Sequence, residues 1–151
     1  MTPDAVDLAI LRALMADGSL TAKQAGEAAE VSQPVAWRRI KRMEAEGVIR
    51  GRRVALDRRK LGYDVVVFLG VKLARSGRAS VDDFERAVVA VPEVQLVQHV
   101  LGIYDYRLKV VARDLPDFER ILRRRIMTLP GVGEVESNVM LSEEKAERPR
   151  V

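Results

Sequence analysis

The chain's 151 residues, 48% hydrophobic and 32% charged, have a soluble globular composition and suffice for one substantial core or two small ones. The absence of cysteine excludes a disulfide framework, a thiolate nucleophile and a Cys-based zinc site, and the single histidine, His99, excludes a His-rich metal cluster. The net charge of +4 is unevenly placed, with 12 Lys/Arg against 8 Asp/Glu in residues 1–62, 14 of each in residues 63–151, and +7 between Ser32 and Lys60, which points to a polyanionic partner, DNA or an anionic membrane surface, for the first part only.

The opening "MTPDAVD" is acidic and lacks the basic-then-apolar pattern of an export signal. The longest strongly apolar run, Val65 to Val71, is too short to span a bilayer. A cytoplasmic protein without a membrane partner is expected. Thr2 can cap a first helix, with Pro3 at its first position, and Val6, Ile10 and Leu14 recur at helical spacing until Asp17-Gly18. Thr21 and Gln24 form a capping box for a second helix whose inner residues Ala25, Gly26, Ala28 and Ala29 are all small. After a turn at Glu30-Val31, Ser32 caps a third helix, Pro34 falls in its first turn and Gly47 ends it. "VIRGRRVAL" reads as two short strands about Gly51. Two helices joined by a short turn and followed by a basic ribbon make a winged helix-turn-helix.

From Tyr63 the pattern becomes β. "DVVVFLGVKL" is a strand, "SVDDFERAVVAV" a helix capped by Ser80, and "EVQLVQHVL" and "DYRLKVVA" are strands. "DLPDFERILRRRIMTL" is a second helix, longer by about one turn, and "VGEVESNVML" the last strand. "DFER" occurs at Asp83–Arg86 and again at Asp117–Arg120, each time before an apolar helix, a proline and a strand. Two successive β-α-β units make a ferredoxin-like βαββαβ domain with both helices on one face of an antiparallel sheet. The expected organisation is α+β: a winged helix-turn-helix over 1–50, a hinge and wing ribbon over 51–62, and a βαββαβ effector-binding and oligomerisation domain over 63–151. Nothing in the chain covers the second sheet face, so a second copy is expected on it.

In "SQPVAWRRIKR", Ile40, Ala36 and Met43 mark the inward face of the third helix, and Trp37 its flank at the core edge. Arg38 and Arg42 point outward with Arg39 and Lys41 on either side. A solvated basic face is common on amphipathic helices. Here, however, the helix is the second of a helix-turn-helix pair, and its acids, Glu44 and Glu46, are held back to its C-terminal end. Arg50, Arg52 and Arg53 follow in the wing. A major groove about 12 Å wide admits such a helix, its leading residues on base edges and flanking cations on phosphates. Double-stranded DNA is the expected partner, with Ser32, Gln33, Arg38, Arg39, Lys41, Arg42, Arg50, Arg52 and Arg53 at the contact. Gln33 and Arg38 are expected to read bases, and Arg42, Arg50, Arg52 and Arg53 to meet phosphates.

With these residues in place, the chain from Asp4 to about Glu143 resembles the Lrp/AsnC family, the leucine-responsive and asparagine-responsive transcription regulators of bacteria and archaea. "DAVDLAIL" resembles the family's first helix and "VSQPVAWRRIKRMEAEGVIRG" its recognition helix and wing. "ALDRRKLG" resembles the hinge, and "PEVQLVQHVLGIYDYRLKV" and "LPGVGEVESNVML" the effector domain. The chain departs from the pattern at Ser19, at Ala25-Gly26, at Glu30 (where glycine is common) and at Arg52 (where tyrosine is frequent). The resemblance implies a homodimer built through the sheets, further assembly to a tetramer or octamer, and an amino acid effector between dimers; with no cysteine and one histidine, no cofactor or metal is expected.

"GIYDYR" joins the two central strands and is, by composition, also a plain turn. Gly102 permits close backbone approach and Asp105 supplies a carboxylate, as an α-amino acid requires. The resemblance assigns the effector site to Gly102, Ile103, Tyr104, Asp105, Ser137, Asn138 and Val139, with Asp105 expected as the ammonium partner. Two rivals stand beside this reading. One is an enzyme like the family's sirohaem-decarboxylating branch, although this chain has Leu96 where that branch places a histidine, and a lone His99 reads as structural. The other is a stand-alone amino acid sensor, against which the +7 between Ser32 and Lys60 speaks. No catalytic residue is expected.

Overall fold

A computed structural model describes residues 2–74 and 78–151, with the backbone alone at 78–80. The chain forms two compact units, Met1–Leu56 with Glu147–Val151, and Asp57–Ala146.

The first unit holds α1 (Ala5–Ala16), α2 (Ala22–Ala28) and α3 (Gln33–Ala45). Asp4, not Thr2, caps α1. It accepts from the Asp7 amide at 2.9 Å, and the Asp7 carboxylate accepts from the Asp4 amide at 3.1 Å. A carboxylate at this position also meets the positive helix end, which a threonine two residues earlier cannot do. The Thr21–Gln24 capping box of α2 forms as expected. Ile10, Ala25, Ala36, Ile40 and Met43 make the core, with Val6, Leu14 and Ile49 packed on it. The small face of α2 is narrower than expected because Ala28 is exposed. At Gly26 a Cβ would stand 2.9 Å from the Val31 carbonyl oxygen and 3.1 Å from the Ala36 Cβ, so α2 and α3 approach as closely as glycine permits.

The turn between α2 and α3 puts Glu30 at φ 56°, a left-handed conformation costly for a side chain. This explains why glycine suits the position. Glu30→Gly is expected to stabilise the unit by about 1 kcal/mol, the strain relieved less the added unfolded-chain entropy. Urea midpoints on the two proteins check it, and a less stable variant would refute it.

Residues 50–57 form no strand, so the expected ribbon about Gly51 is absent. Two short strands with no third to pack on are marginal in water. Instead, Arg52 Nη1 donates to the carbonyls of Gly18 at 3.1 Å and Leu20 at 2.9 Å, tying this segment to the turn between α1 and α2.

The second unit holds β1 (Val65–Leu73), α4 (Arg78–Val88), β2 (Val94–His99), β3 (Tyr106–Ala112), α5 (Leu115–Ile121) and β4 (Val132–Val139), with sheet order β2-β3-β1-β4, antiparallel throughout. This is the expected ferredoxin-like arrangement. α4 begins at Arg78, so Ser80 lies in its first turn rather than at its cap; Arg75–Gly77 lie outside the described residues. α5 is capped by Asp114 and gains no extra α-turn; it widens into a π-turn over Leu122–Ile126. Both repeats of "DFER" bury their aromatic: Phe84 and Phe118 join Val67, Leu69, Val71, Tyr106, Leu108 and Val110 in one core. The alternation of strand side chains then sends Phe68, Gly70, Arg107, Lys109, Glu136 and Asn138 to the face away from the helices. Among the described residues no helix is long and apolar enough to cross a membrane, and no group of three His, Asp or Glu is placed to hold a metal ion.

Candidate functional site

The two units each carry candidate residues. In the first, Ala36, Ile40 and Met43 turn one face of α3 inward. Trp37, expected at the core edge, is 54% exposed. Ser32 holds the N-cap position without a side-chain capping bond, which leaves its hydroxyl outward, and Gln33 is exposed beside it. The basic side chains all expected at the DNA contact are sorted by the fold. Arg39 Nη1 lies 2.6 Å from Asp4 and 2.9 Å from Asp7, and Arg42 Nη2 lies 2.8 Å from Asp7. The Arg39 hydrogen bond holds the Asp4 carboxyl below the usual carboxylate range. Arg42, expected to point directly away, thus folds back onto α1. Lys41 pairs with Glu44 at 2.8 Å on the helix surface. Among the described residues Arg38 is the one α3 cation without a carboxylate partner, and it is exposed, as are Arg50 and Arg53. Arg52, anchored on two carbonyls, is not the free wing cation expected.

In the second unit a pocket of about 280 Å³ opens beside the β2–β3 loop. Of the seven expected effector residues it gathers Gly102, Ile103, Tyr104 and Asn138. Asp105, Ser137 and Val139 do not line it. The Asp105 carboxylate accepts from the Leu73 amide at 2.8 Å, while its own amide donates to Val71 and its carbonyl accepts from Val100. It therefore clamps the loop to the end of β1. Ser137 and Val139 pair with Leu69 and Val67, on the opposite face of the sheet from Asn138, which pairs with Phe68.

Sequence reasoning missed Phe68, Gly70, Arg107 and Glu136, which line the same pocket. Gly70 carried a signal, as a lone glycine inside an apolar strand marks close approach of another group. Here a Cβ would stand 2.7 Å from the Tyr104 ring, which lies directly over the glycine. Burial, and next the hydrogen bond to Glu136, push Tyr104 ionisation up. The Arg107 guanidinium sits 5.0 Å over the Phe68 ring. The pocket therefore joins one cation, one carboxylate, a phenol and an amide on an apolar floor. His99 is elsewhere, stacked on Tyr106 with ring centroids 4.8 Å apart, which is the structural use expected of it.

Residues 66–150 match the model of the Lrp/AsnC ligand binding domain, and residues 3–50 that of a winged helix-turn-helix DNA-binding domain. The chain belongs to the Lrp/AsnC family. It is 34% identical over 142 residues to the proline dehydrogenase transcriptional activator of Rhizobium radiobacter, covering 94% of this chain and 91% of the relative. With the leucine-responsive regulatory protein of Rhizobium meliloti it shares 32% identity over the same coverages. The fold is similar to that of an AsnC family transcriptional regulator from Agrobacterium tumefaciens, with TM-score 0.90, 31% identity and 97% of each chain covered. It is also similar to a transcriptional regulator of Neisseria meningitidis solved as an L-Met complex, with TM-score 0.91, 26% identity and 96% and 94% of the two chains covered. As an Lrp/AsnC protein the chain is a DNA-binding transcription regulator with a ligand-binding domain, and the enzyme reading gives way.

Proposed function

We propose that this Lrp/AsnC protein binds a short pseudo-palindromic DNA site as a homodimer, and that an amino acid in the pocket at Gly102–Tyr104 sets its DNA affinity, with further assembly to a tetramer or octamer. The observation that carries the effector half is that Arg107 and Glu136 both line one pocket, a cation and a carboxylate together. An α-amino acid bears one charge of each sign, and charge-assisted hydrogen bonds to both are the strong ones. Relatives named for proline dehydrogenase activation and leucine response, and a neighbour holding L-Met, support an amino acid. Leu101, fully exposed, and Ile103, 81% exposed, stand out from the loop rimming the pocket, which supports a protein contact there. Ligand can shift assembly only through different affinities for the two assembly states.

Calorimetry with each amino acid, paired with DNA titration with and without ligand, tests this; the absence of any binding at millimolar concentration refutes the effector half. Glu136→Gln is expected to cut ligand affinity by about one decade and leave ligand-free DNA binding unchanged. Asp105→Asn, which keeps an acceptor for the Leu73 amide, is expected to retain ligand affinity. A decade lost there would restore Asp105 as the ammonium partner.

For DNA, Gln33 and Arg38 read bases while Arg50 and Arg53 meet phosphates. Arg38→Ala is expected to cost about 1–3 kcal/mol on the preferred site and to relax preference at one base pair. Arg53→Ala is expected to weaken all sequences alike and lower the salt slope by about 1. Binding of the two variants to a panel of single-base site changes decides it: identical profiles would overturn the division of roles.

A further inference from the structure

Among the described residues Asp7 is the charged residue that is buried completely, at 0% exposure. It sits in the first turn of α1, yet its carboxylate serves α3. Oδ1 accepts from Arg39 Nη1 at 2.9 Å and Arg42 Nη2 at 3.0 Å, and Oδ2 accepts from Arg42 Nη2 at 2.8 Å and from the Asp4 amide at 3.1 Å. Asp4 holds Arg39 a second time. Two acids of α1 and two arginines of α3 thus form a neutral cluster within the DNA-binding unit, leaving Arg38 as the unpaired cation of the helix among the described residues.

Sequence-independent affinity for DNA grows with the number of cations free to reach phosphates, and specificity is the ratio of selected to unselected binding. A guanidinium fixed to a buried carboxylate cannot follow the phosphates of an arbitrary duplex. It also ties α3 to α1 at two successive positions of one helix face, Arg39 and Arg42, so the helix enters a groove at one orientation. We propose that Asp7 is a specificity-determining positioning residue: by holding Arg39 and Arg42 to α1 it withdraws two cations from indiscriminate phosphate contact and fixes the angle at which Arg38 meets bases. This rests on α3 being the groove-reading helix.

The test uses the full chain, a duplex selected by the wild type from a random-sequence pool, and a mixed-sequence duplex of equal length, each titrated over a range of salt. Asp7→Asn is expected to steepen the salt slope on the mixed duplex by about 0.9–1.8 per protomer, as one or two arginines are released. The ratio of selected to mixed affinity should fall about tenfold, the size of one lost base readout. Arg42→Gln, which leaves Arg39 on Asp7, should also lower that ratio, yet move the slope by less than about half of the change seen with the phosphate-contact variant Arg53→Gln. It decides the matter alone if circular dichroism shows that Asp7→Asn has not folded. A discriminating wild type with slope and ratio unchanged in folded Asp7→Asn, or Arg42→Gln lowering the slope as much as Arg53→Gln, overturns the proposal. A wild type that does not discriminate overturns the groove-reading role itself.

Discussion

Phe84→Ala is expected to destabilise the unit spanning 57–146 by about 3–5 kcal/mol, the range for deleting a fully buried aromatic ring whose cavity only partly collapses. Phe84 has no exposed surface and packs at 4.8 Å between ring centroids on Tyr106, the residue that starts β3 directly after the β2–β3 loop. Its loss removes support from the strand that aims the loop. The chain's chromophores allow the effect to be localised. All three tyrosines, Tyr63, Tyr104 and Tyr106, lie in this unit, and the one tryptophan, Trp37, lies in the other. The near-ultraviolet tyrosine transition should move to lower urea while Trp37 fluorescence changes at its wild-type midpoint. A tyrosine midpoint displaced by less than about 1 kcal/mol equivalent would mean that the site repacks around the loss.

Alkaline pH should act on the same place. Burial, and next the hydrogen bond its hydroxyl donates to Glu85, push Tyr106 ionisation from 10.0 up to about 12. The carboxylates of Glu85, Asp105 and Asp82 all oppose a phenolate there. Because the folded pKa is raised, the protonated form is the one the fold favours. Its contribution is fully present below pH 10 and is lost as pH rises through about 12, a loss of roughly 2–3 kcal/mol for two pH units. Tyr106→Phe lacks the titrating group. Between about pH 9 and pH 12 the wild type should therefore lose that much more stability than Tyr106→Phe, although the variant starts lower for want of the Glu85 bond. Parallel pH profiles for the two proteins would refute the assignment.

What the sequence made legible was local. The Thr21–Gln24 box, the C-terminal end of α1, the ends of α3, and the twin "DFER" helices are all written within a few neighbouring residues. The order of the strands followed because two β-α-β units leave few alternatives. The sorting of the arginines on α3 was not legible: Asp7 stands some three dozen residues before Arg42, and helical periodicity gives the direction of a Cα–Cβ bond but not the reach of a long side chain. The register of β4 was equally hidden. A slip of one residue would exchange Glu136 and Asn138 for Ser137 and Val139, and only pairing with β1 fixes which pair faces the pocket. The wing was misread because β-branched and basic residues about a glycine suggest a ribbon, whereas Arg52 finds its partners in the turn before α2.

The place of β1 in the sheet also governs how the protein comes into being. The three helices of the first unit draw on residues 5–45, so that surface can assemble as soon as it clears the ribosome. β1 is made next, but one of its two neighbours, β4, is synthesised last, with Val67 waiting for Val139. For most of synthesis the nascent chain is thus a DNA-reading head without a finished sensor, and it trails the apolar stretch Val65–Val71 with an open hydrogen-bonding edge. Messages truncated before Val132 would yield chains in which that edge is never closed, and these should be the species that aggregate.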